Sequence, residues 1–348
     1  MGQTIVFKKF ILILEHCLKV SPGEEVLILH DETIDRHLVD LMTYAAASLK
    51  TNPHALGYVP RRRLIMKEFG LFAGAWRFGE PLSKTVIGAL KEADSIVLIG
   101  SDLDLLFSEK FKSVLREGRR VIGLPYLTTE EMFFRLLPDS DEEITALQTV
   151  TKKYFKLLNN ARRARITSEK GTDIEMELGQ YKTNCSSGVV EKGVGFVGGM
   201  EILPAGQVTR VPNKNSANGV VMIDRSIGAY NFSPLYETIK IKVENGFVTD
   251  IEGQIEAKRL RKFIAELEDP NLFNLTELGI GVNPRCKFTG EAAPAEDTHT
   301  QGCVSVALGC DVHLGGEVKA KVHMDSTSWF PTLELDGRVV LEKGRLLF

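Results

Sequence analysis

The stretch Lys321-Val322-His323-Met324-Asp325 sets an imidazole and a carboxylate two residues apart. In extended backbone, side chains at i and i+2 share a face. His323 and Asp325 would then point the same way, as a chelating pair near the end of a strand. Read alone, His-x-Asp suits a surface pair as well as a metal site. A third donor is Glu277, in Thr276-Glu277-Leu278-Gly279-Ile280-Gly281-Val282-Asn283-Pro284. Glycines belong where backbone must approach a site closely, so this acid could join the pair from a Gly-rich turn. A solvated glutamate at a helix end shows the same pattern, since Glu is mostly an exposed residue. The segment from Glu291 to His299 is small, acidic and turn-rich. Glu291, Glu296, Asp297 and His299 could approach a metal from it, and a solvated loop is its plainer reading.

Other chemistries lack their motifs. There is no GxSxG, and Cys185 and Cys303 have no local partner pattern for covalent catalysis. No GxxxxGK[ST] occurs. One GxGxxG runs from Gly193 to Gly198, but it follows no strand and opens no helix, so it reads as a glycine-rich loop. Among the seven histidines, His16 and His37 fall in helical patterns and His30 and His54 at strand ends, while His313 lies in a Gly-rich loop and stays open.

The elements that must position these groups fall into two textures. Val26–His30, His54–Val59, Ser95–Gly100 and Arg120–Pro125 read as strands. They alternate with helical patterns over Asp35–Leu49, Ser83–Glu92 and Ser108–Glu117. That alternation predicts parallel βαβ units with helices on both faces. A helix over Asp139–Asn160 follows. Beyond it, Arg165–Ser168 and Asp173–Leu178 flank Lys170-Gly171-Thr172 as a hairpin. Short alternating segments recur at Gly219–Asp224, Thr238–Val243, Phe247–Ile251, Gly302–Leu308, Glu317–Met324 and Arg338–Glu342, interrupted by a helix at Ile255–Leu267. The fold class expected is an α/β N-terminal domain with a parallel sheet over residues 1–150. A mainly antiparallel, α+β metal-binding domain then spans 151–348.

With 348 residues and 43% hydrophobic content the chain can bury a large core without disulfides. A net charge of −3 carries no basic face for nucleic acid; the run Arg61-Arg62-Arg63 reads as surface. No apolar run reaches a membrane span, and the N-terminus lacks signal-peptide order. Five scattered cysteines without a CxxC fit a reduced, cytoplasmic protein.

Glu277–Pro284, Val304-Ser305-Val306-Ala307-Leu308-Gly309, Gly315-Gly316 and Val322-His323-Met324-Asp325 together resemble the aminopeptidase T (thermophilic metalloprotease) family, including its 2,5-dihydroxypyridine 5,6-dioxygenase-like members. Gly171-Thr172-Asp173, Leu178-Gly179-Gln180-Tyr181 and Asn215–Gly219 look more like the dioxygenase side. The resemblance implies two divalent metals in the peptidases, and Glu277, His323 and Asp325 match three of their ligand positions. Gln207 stands where they have a ligand Glu, Ser305 where they have a ligand His, and the ligand Tyr is absent, with Val312 nearby. An amide and a hydroxyl are poor ligands for a dinuclear zinc or cobalt pair, so one metal is expected. For the dioxygenase-like members the resemblance implies one ferrous iron on two His and one Asp; His323 and Asp325 match, and Glu277 replaces the first His. Phe107 stands where that family has a basic His.

These readings lead to a metal-dependent hydrolase with one divalent ion (Fe, Zn or Mn) on Glu277, His323 and Asp325. Glu291 would be the general base, with Gln207, Ser305, His299 and His313 toward a small-molecule or peptide substrate. The alternatives are a mononuclear iron ring-cleaving dioxygenase and an inactive binding protein of the same fold. The resemblance implies a homodimer, with neither nucleic acid nor membrane as partner.

Overall fold

A computed structural model describes residues 2–32, 34–59, 82–100, 105, 108–125, 127–191, 200–228, 234–289 and 294–347. Glu291, Phe107, the arginine run at 61–63 and the glycine-rich 193–198 stretch lie outside the described residues. The chain divides into two compact units. The first takes 1–70, 77–149 and 186–205, and the second takes 71–76, 150–185 and 206–348.

In the first unit the chain opens with a helix, Gly2–Leu12, continuing as a π-helical turn over Ile13–Leu18. Strands β1 (Glu25–His30), β2 (Asn52–Gly57), β3 (Ser95–Gly100) and β4 (Arg120–Pro125) follow, separated by helices Arg36–Ser48, Lys84–Glu92 and Glu109–Arg116. All pair in parallel, in the order β2-β1-β3-β4. β1, β3 and β4 are buried on both faces, which explains their unbroken apolar runs. Leu27, Leu29, Ile96, Leu98 and Val121 pack with Val86, Leu90, Phe111 and Val114 of the next two helices. Each of these helices starts on a side-chain cap: Asp35, Ser83 and Ser108 accept from backbone N–H groups of the first turn. Helices Glu130–Leu136 and Asp141–Asn160 complete the N-terminal run. Among the strands that follow, β5 (Arg163–Thr167), β6 (Asp173–Glu177) and β7 (Thr183–Ser186) precede β8 (Glu201–Ile202). β8 returns to the first sheet, parallel to β4, a pairing that local pattern did not disclose.

The second unit is antiparallel. β5 and β6 form the expected hairpin, clamped by a two-pronged Arg165–Asp173 pair. With β10 (Asn218–Ile223), β12 (Ile239–Glu244) and β13 (Phe247–Glu252) they build one side of an eight-stranded sheet; β17 (Thr332–Leu335), β18 (Arg338–Glu342) and β19 (Arg345–Leu346) build the other. A six-stranded sheet holds the chemistry. Its order is β11-β16-β15-β14-β9-β7, with β9 at Gln207–Arg210, β11 at Ser226–Ile227, β14 at Leu275–Gly281, β15 at Val304–Gly309 and β16 at His323–Thr327. β14 and β15 are buried throughout.

Three expectations need correction. Glu277 lies inside a buried strand, neither in a turn nor at a helix end. His323 begins its strand instead of ending it. Pro294–His299 is a short helix in which Glu296, Asp297 and His299 are buried, so no solvated loop is present there.

Tyr154, fully buried on the long helix, directs its hydroxyl to the carbonyls of Val340 (2.9 Å) and Leu347 (3.0 Å). Removing that donor strands a buried acceptor at Val340 and a partly buried one at Leu347. Tyr154→Phe should therefore lower unfolding stability by about 1–2 kcal/mol, read from the urea midpoint at an unchanged slope. An unmoved midpoint would show that water already satisfies those carbonyls.

Candidate metal centre

Period-two alternation puts Glu277, Gly279 and Gly281 of β14 on one face, and His323, Asp325 and Thr327 of β16 on one face. Between these strands runs β15. The register sets Ala307 opposite both Glu277 and Asp325, and Gly309 opposite His323. Two strand intervals separate Glu277 from Asp325, roughly 10 Å of backbone. A methyl group and a glycine between them leave the two carboxylates free to lean together over β15.

They do converge. His323 Nε2 lies 3.2 Å from Glu277 Oε2 and 3.4 Å from Asp325 Oδ1. One donor atom from each of the three lies within 4.8 Å of the others, and among the described residues this is the group of His, Cys, Asp and Glu able to hold an ion. Cys310 O accepts from His323 Nδ1 at 2.7 Å. A carbonyl can only accept, so Nδ1 carries the hydrogen and Nε2 is turned to the acids. The His313 ring packs edge-on against His323, centroids 4.6 Å apart. That contact brings His313 to the rim of the site, though it is not a member of the trio, and neither is His299.

The electrostatics follow from crowding two acids and an imidazole. Burial raises the Glu277 pKa, and the facing Asp325 carboxylate raises it further; His323 opposes both. Burial alone would lower the His323 pKa, but the Asp325 and Glu277 carboxylates overcome it and hold the imidazole protonated well above its usual range. Nearby Asp311, which the sequence reading did not single out, is pushed up to about 6 by burial while its carboxylate accepts Val318 N–H at 2.7 Å. A Cβ on Gly316 would collide with that carboxylate.

Beside the trio lies a polar nook. Thr209, Gly279, Ser305 and Thr327 sit directly opposite one another across four strands. A Cβ built on Gly279 would lie 2.3 Å from Ser305 Oγ, 3.1 Å from Glu277 Oε1 and 3.3 Å from Gln207 Nε2. The glycine is thus required by what surrounds it, and Gln207 and Ser305 do stand at the site. Glu277 Oε1, Ser305 Oγ and Thr209 Oγ1 are buried without a hydrogen-bond partner among the described residues. Orphaned buried oxygens of this kind call for a ligand, ion or water. Gly281 is equally constrained: its missing side chain admits the backbone of residues 298–300, so the end of the Pro294–His299 helix lies across the same face.

Two carboxylates and an imidazole suit one divalent cation of the Fe, Mn or Zn type. The second half of a dinuclear site would fall on an amide and a hydroxyl, which do not suit it.

Comparison with known proteins gives consistent results. The family model described as NicX, 2,5-dihydroxypyridine 5,6-dioxygenase, matches residues 6–348. The 2,5-dihydroxypyridine 5,6-dioxygenase of Pseudomonas putida is 26% identical over 345 residues, covering 95% of this chain and 93% of that protein. The solved structure of a 2,5-dihydroxypyridine dioxygenase from that organism superposes with a TM-score of 0.81 at 22% identity, over 99% of this chain and 97% of the other. Wild-type AmpT from Thermus thermophilus superposes at 0.65 and 16% identity over the full length of both chains. The hydrolase reading taken from residue types keeps only a likeness of fold, and the dioxygenase reading is the better supported.

Two outcomes follow. Gly279→Ala should drive the Ser305 hydroxyl from its position. It should cost clearly less thermal stability in a Ser305→Ala background than in the wild type, a coupling read from the four-protein cycle; strictly additive costs would place Ser305 elsewhere. The pH sign is also fixed. With Glu277 and His323 both raised, the folded chain without a cation binds more protons than the unfolded one, so its stability falls as pH rises, from about 4.5 upward through Glu277 and from about 6.5 upward through His323. A bound cation must displace those protons. Metal affinity should therefore rise with pH, with about one or more protons released per ion in calorimetry across buffers. Affinity independent of pH would remove His323 from the site.

Proposed function

The chain belongs to the 2,5-dihydroxypyridine 5,6-dioxygenase family, and on that premise we propose that it opens a small hydroxylated aromatic ring with O2 at one metal ion. The observation that carries the reading is the Glu277–His323–Asp325 trio, with Glu277 buried and the other two partly so, beside two neutral groups, Gln207 and Ser305. In this reading Glu277, His323 Nε2 and Asp325 hold the ion, with iron as the metal the family's activity favours. A ferrous ion held there would bring ring and O2 together and relay electrons from the electron-rich ring to O2, with no net change in its own oxidation state and both oxygen atoms ending in the opened product.

The chain's own groups prepare that chemistry. Cys310 O fixes the His323 ring and its tautomer. The Glu277 carboxylate has one oxygen toward His323 and the other toward the nook. A ring hydroxyl entering the nook can donate to Glu277 Oε1, while Ser305 Oγ and Gln207 Nε2 can donate to a ring oxygen. Neutral partners here hold the ring without adding charge to a site that already carries two acids. Burial of Glu277 and the near-complete burial of His323 keep bulk water from competing for the same positions. With two carboxylates and one imidazole, this donor set is more negative than one built from two His and one Asp. The reading includes a homodimeric enzyme, as the family resemblance implies, and a cytoplasmic one, as the five scattered cysteines suggest.

Protein loaded with Fe(II) without oxygen should then consume O2 in step with 2,5-dihydroxypyridine or a related dihydroxy ring, and should release nothing from aminoacyl p-nitroanilides. His323→Ala should lose its iron and at least about a hundredfold in rate, the range for removing a metal-bearing group. A flat oxygen trace alongside aminopeptidase activity would reverse the assignment.

A further inference from the structure

Arg225 is unlike the other well-placed arginines of the chain. Arg165 makes a two-pronged pair with Asp173, Arg120 pairs with Glu24, and Arg210 donates to four backbone carbonyls. The Arg225 guanidinium instead lies between two aromatic rings. Its Cζ is 3.0 Å from the Phe288 centroid and 2.9 Å from the Trp329 centroid, and those centroids are 5.7 Å apart. Among the described residues it makes neither an ion pair nor a hydrogen bond. The ionisable groups near it are Cys303, Asp297 and Asp224; burial pushes the Cys303 thiol well up, so it stays neutral. Asp224 is already engaged, by Lys170 at 2.8 Å and by the backbone N–H of Trp329 at 2.8 Å. Asp297 is buried, and burial raises its pKa, with hydrogen bonds from Ser226 and Thr289 and the charge of Arg225 acting against that rise. Burial between the rings lowers the guanidinium's pKa to about 9, so it is still a cation at neutral pH. Stacking fixes the plane of the fork but uses none of its five N–H donors. A half-buried, pre-oriented cation with unused donors is the half-site that a planar carboxylate completes.

Its place in the sheet ties it to the metal centre. Arg225 immediately precedes β11, whose Ser226 pairs with Thr327 of β16, their hydroxyl oxygens 2.7 Å apart. Thr327 is two residues, roughly 7 Å, from Asp325 along the same strand.

We propose that Arg225, gripped by Phe288 and Trp329, is a receptor for the carboxylate of a small aromatic acid bound beside the metal centre. The aromatic part of that ligand rests on the ring-opening reading above; the carboxylate part rests on Arg225 alone. A purely structural clasp between Phe288 and Trp329 would show no preference for carboxylates.

Calorimetry on the full-length, iron-loaded protein without oxygen separates these. The probes are 2,5-dihydroxybenzoate, its neutral carboxamide, and benzoate. The acid should bind at least tenfold more tightly than the amide at about pH 7.5. Arg225→Gln should bring the two within twofold while leaving amide affinity unchanged. Arg225→Lys, which keeps a cation but not the fork, should cut the preference at least threefold, and it decides the matter if the glutamine variant does not fold. Benzoate binding that depends on Arg225 would uphold the receptor even if no O2 is consumed with any dihydroxy ring. Equal affinity of acid and amide in the wild-type protein, a preference that survives Arg225→Gln, or no detectable binding of either acid would each overturn it.

Discussion

Two carboxylates forced to share one buried face with an imidazole set the terms for the rest of the second unit. Glu277 and Asp325 repel each other across β15, in surroundings where burial already disfavours the Glu277 charge. A proton on His323 offsets part of that cost in the metal-free chain. A divalent cation offsets more of it, because it brings two charges to the point where the donor atoms already converge. The arrangement is stable with a positive charge at its centre and costly without one.

Holding the acids together falls to the smallest residues of the sheet. Ala307 and Gly309 of β15 keep the space between β14 and β16 clear. Gly279 makes room for Ser305, and Gly281 lets the end of the Pro294–His299 helix close over the face. A strand made this small has little side-chain area to bury on that side, so its stability must come from its neighbours. β14 supplies Leu278 and Ile280 to the opposite face, both fully buried. One strand thus carries a chemical face and a packing face, and the period of two keeps them apart.

The fold class was legible in the sequence, as parallel strands alternating with helices and then antiparallel strands. So was the spacing that puts His323 and Asp325 on one face; contacts between distant segments were not. His323 and Asp325 could be paired because alternation is a local rule, and Glu277 could be added because of its residue type and its glycines. Its strand could not be read, since Leu-Gly-Ile-Gly has the glycine content of a turn and sheet preference depends on neighbours that a linear pattern does not show. The return of β8 to the first sheet and the meeting of Arg225 with Phe288 and Trp329 are contacts between distant segments, with no local signature. The helix at Pro294–His299 did leave a signal: a proline at its first position and two acids in its first turn are helix-start chemistry. Its acidic, small-residue composition masked that signal as a loop.

Anomalous X-ray diffraction from crystals of the metal-loaded protein tests the central claim most directly. A single peak within about 2.0–2.6 Å of a Glu277 carboxylate oxygen, His323 Nε2 and an Asp325 carboxylate oxygen is the result expected. Two peaks bridged through the Gln207 and Ser305 side, or one peak remote from the trio with His323 still hydrogen-bonded to both acids, would contradict it.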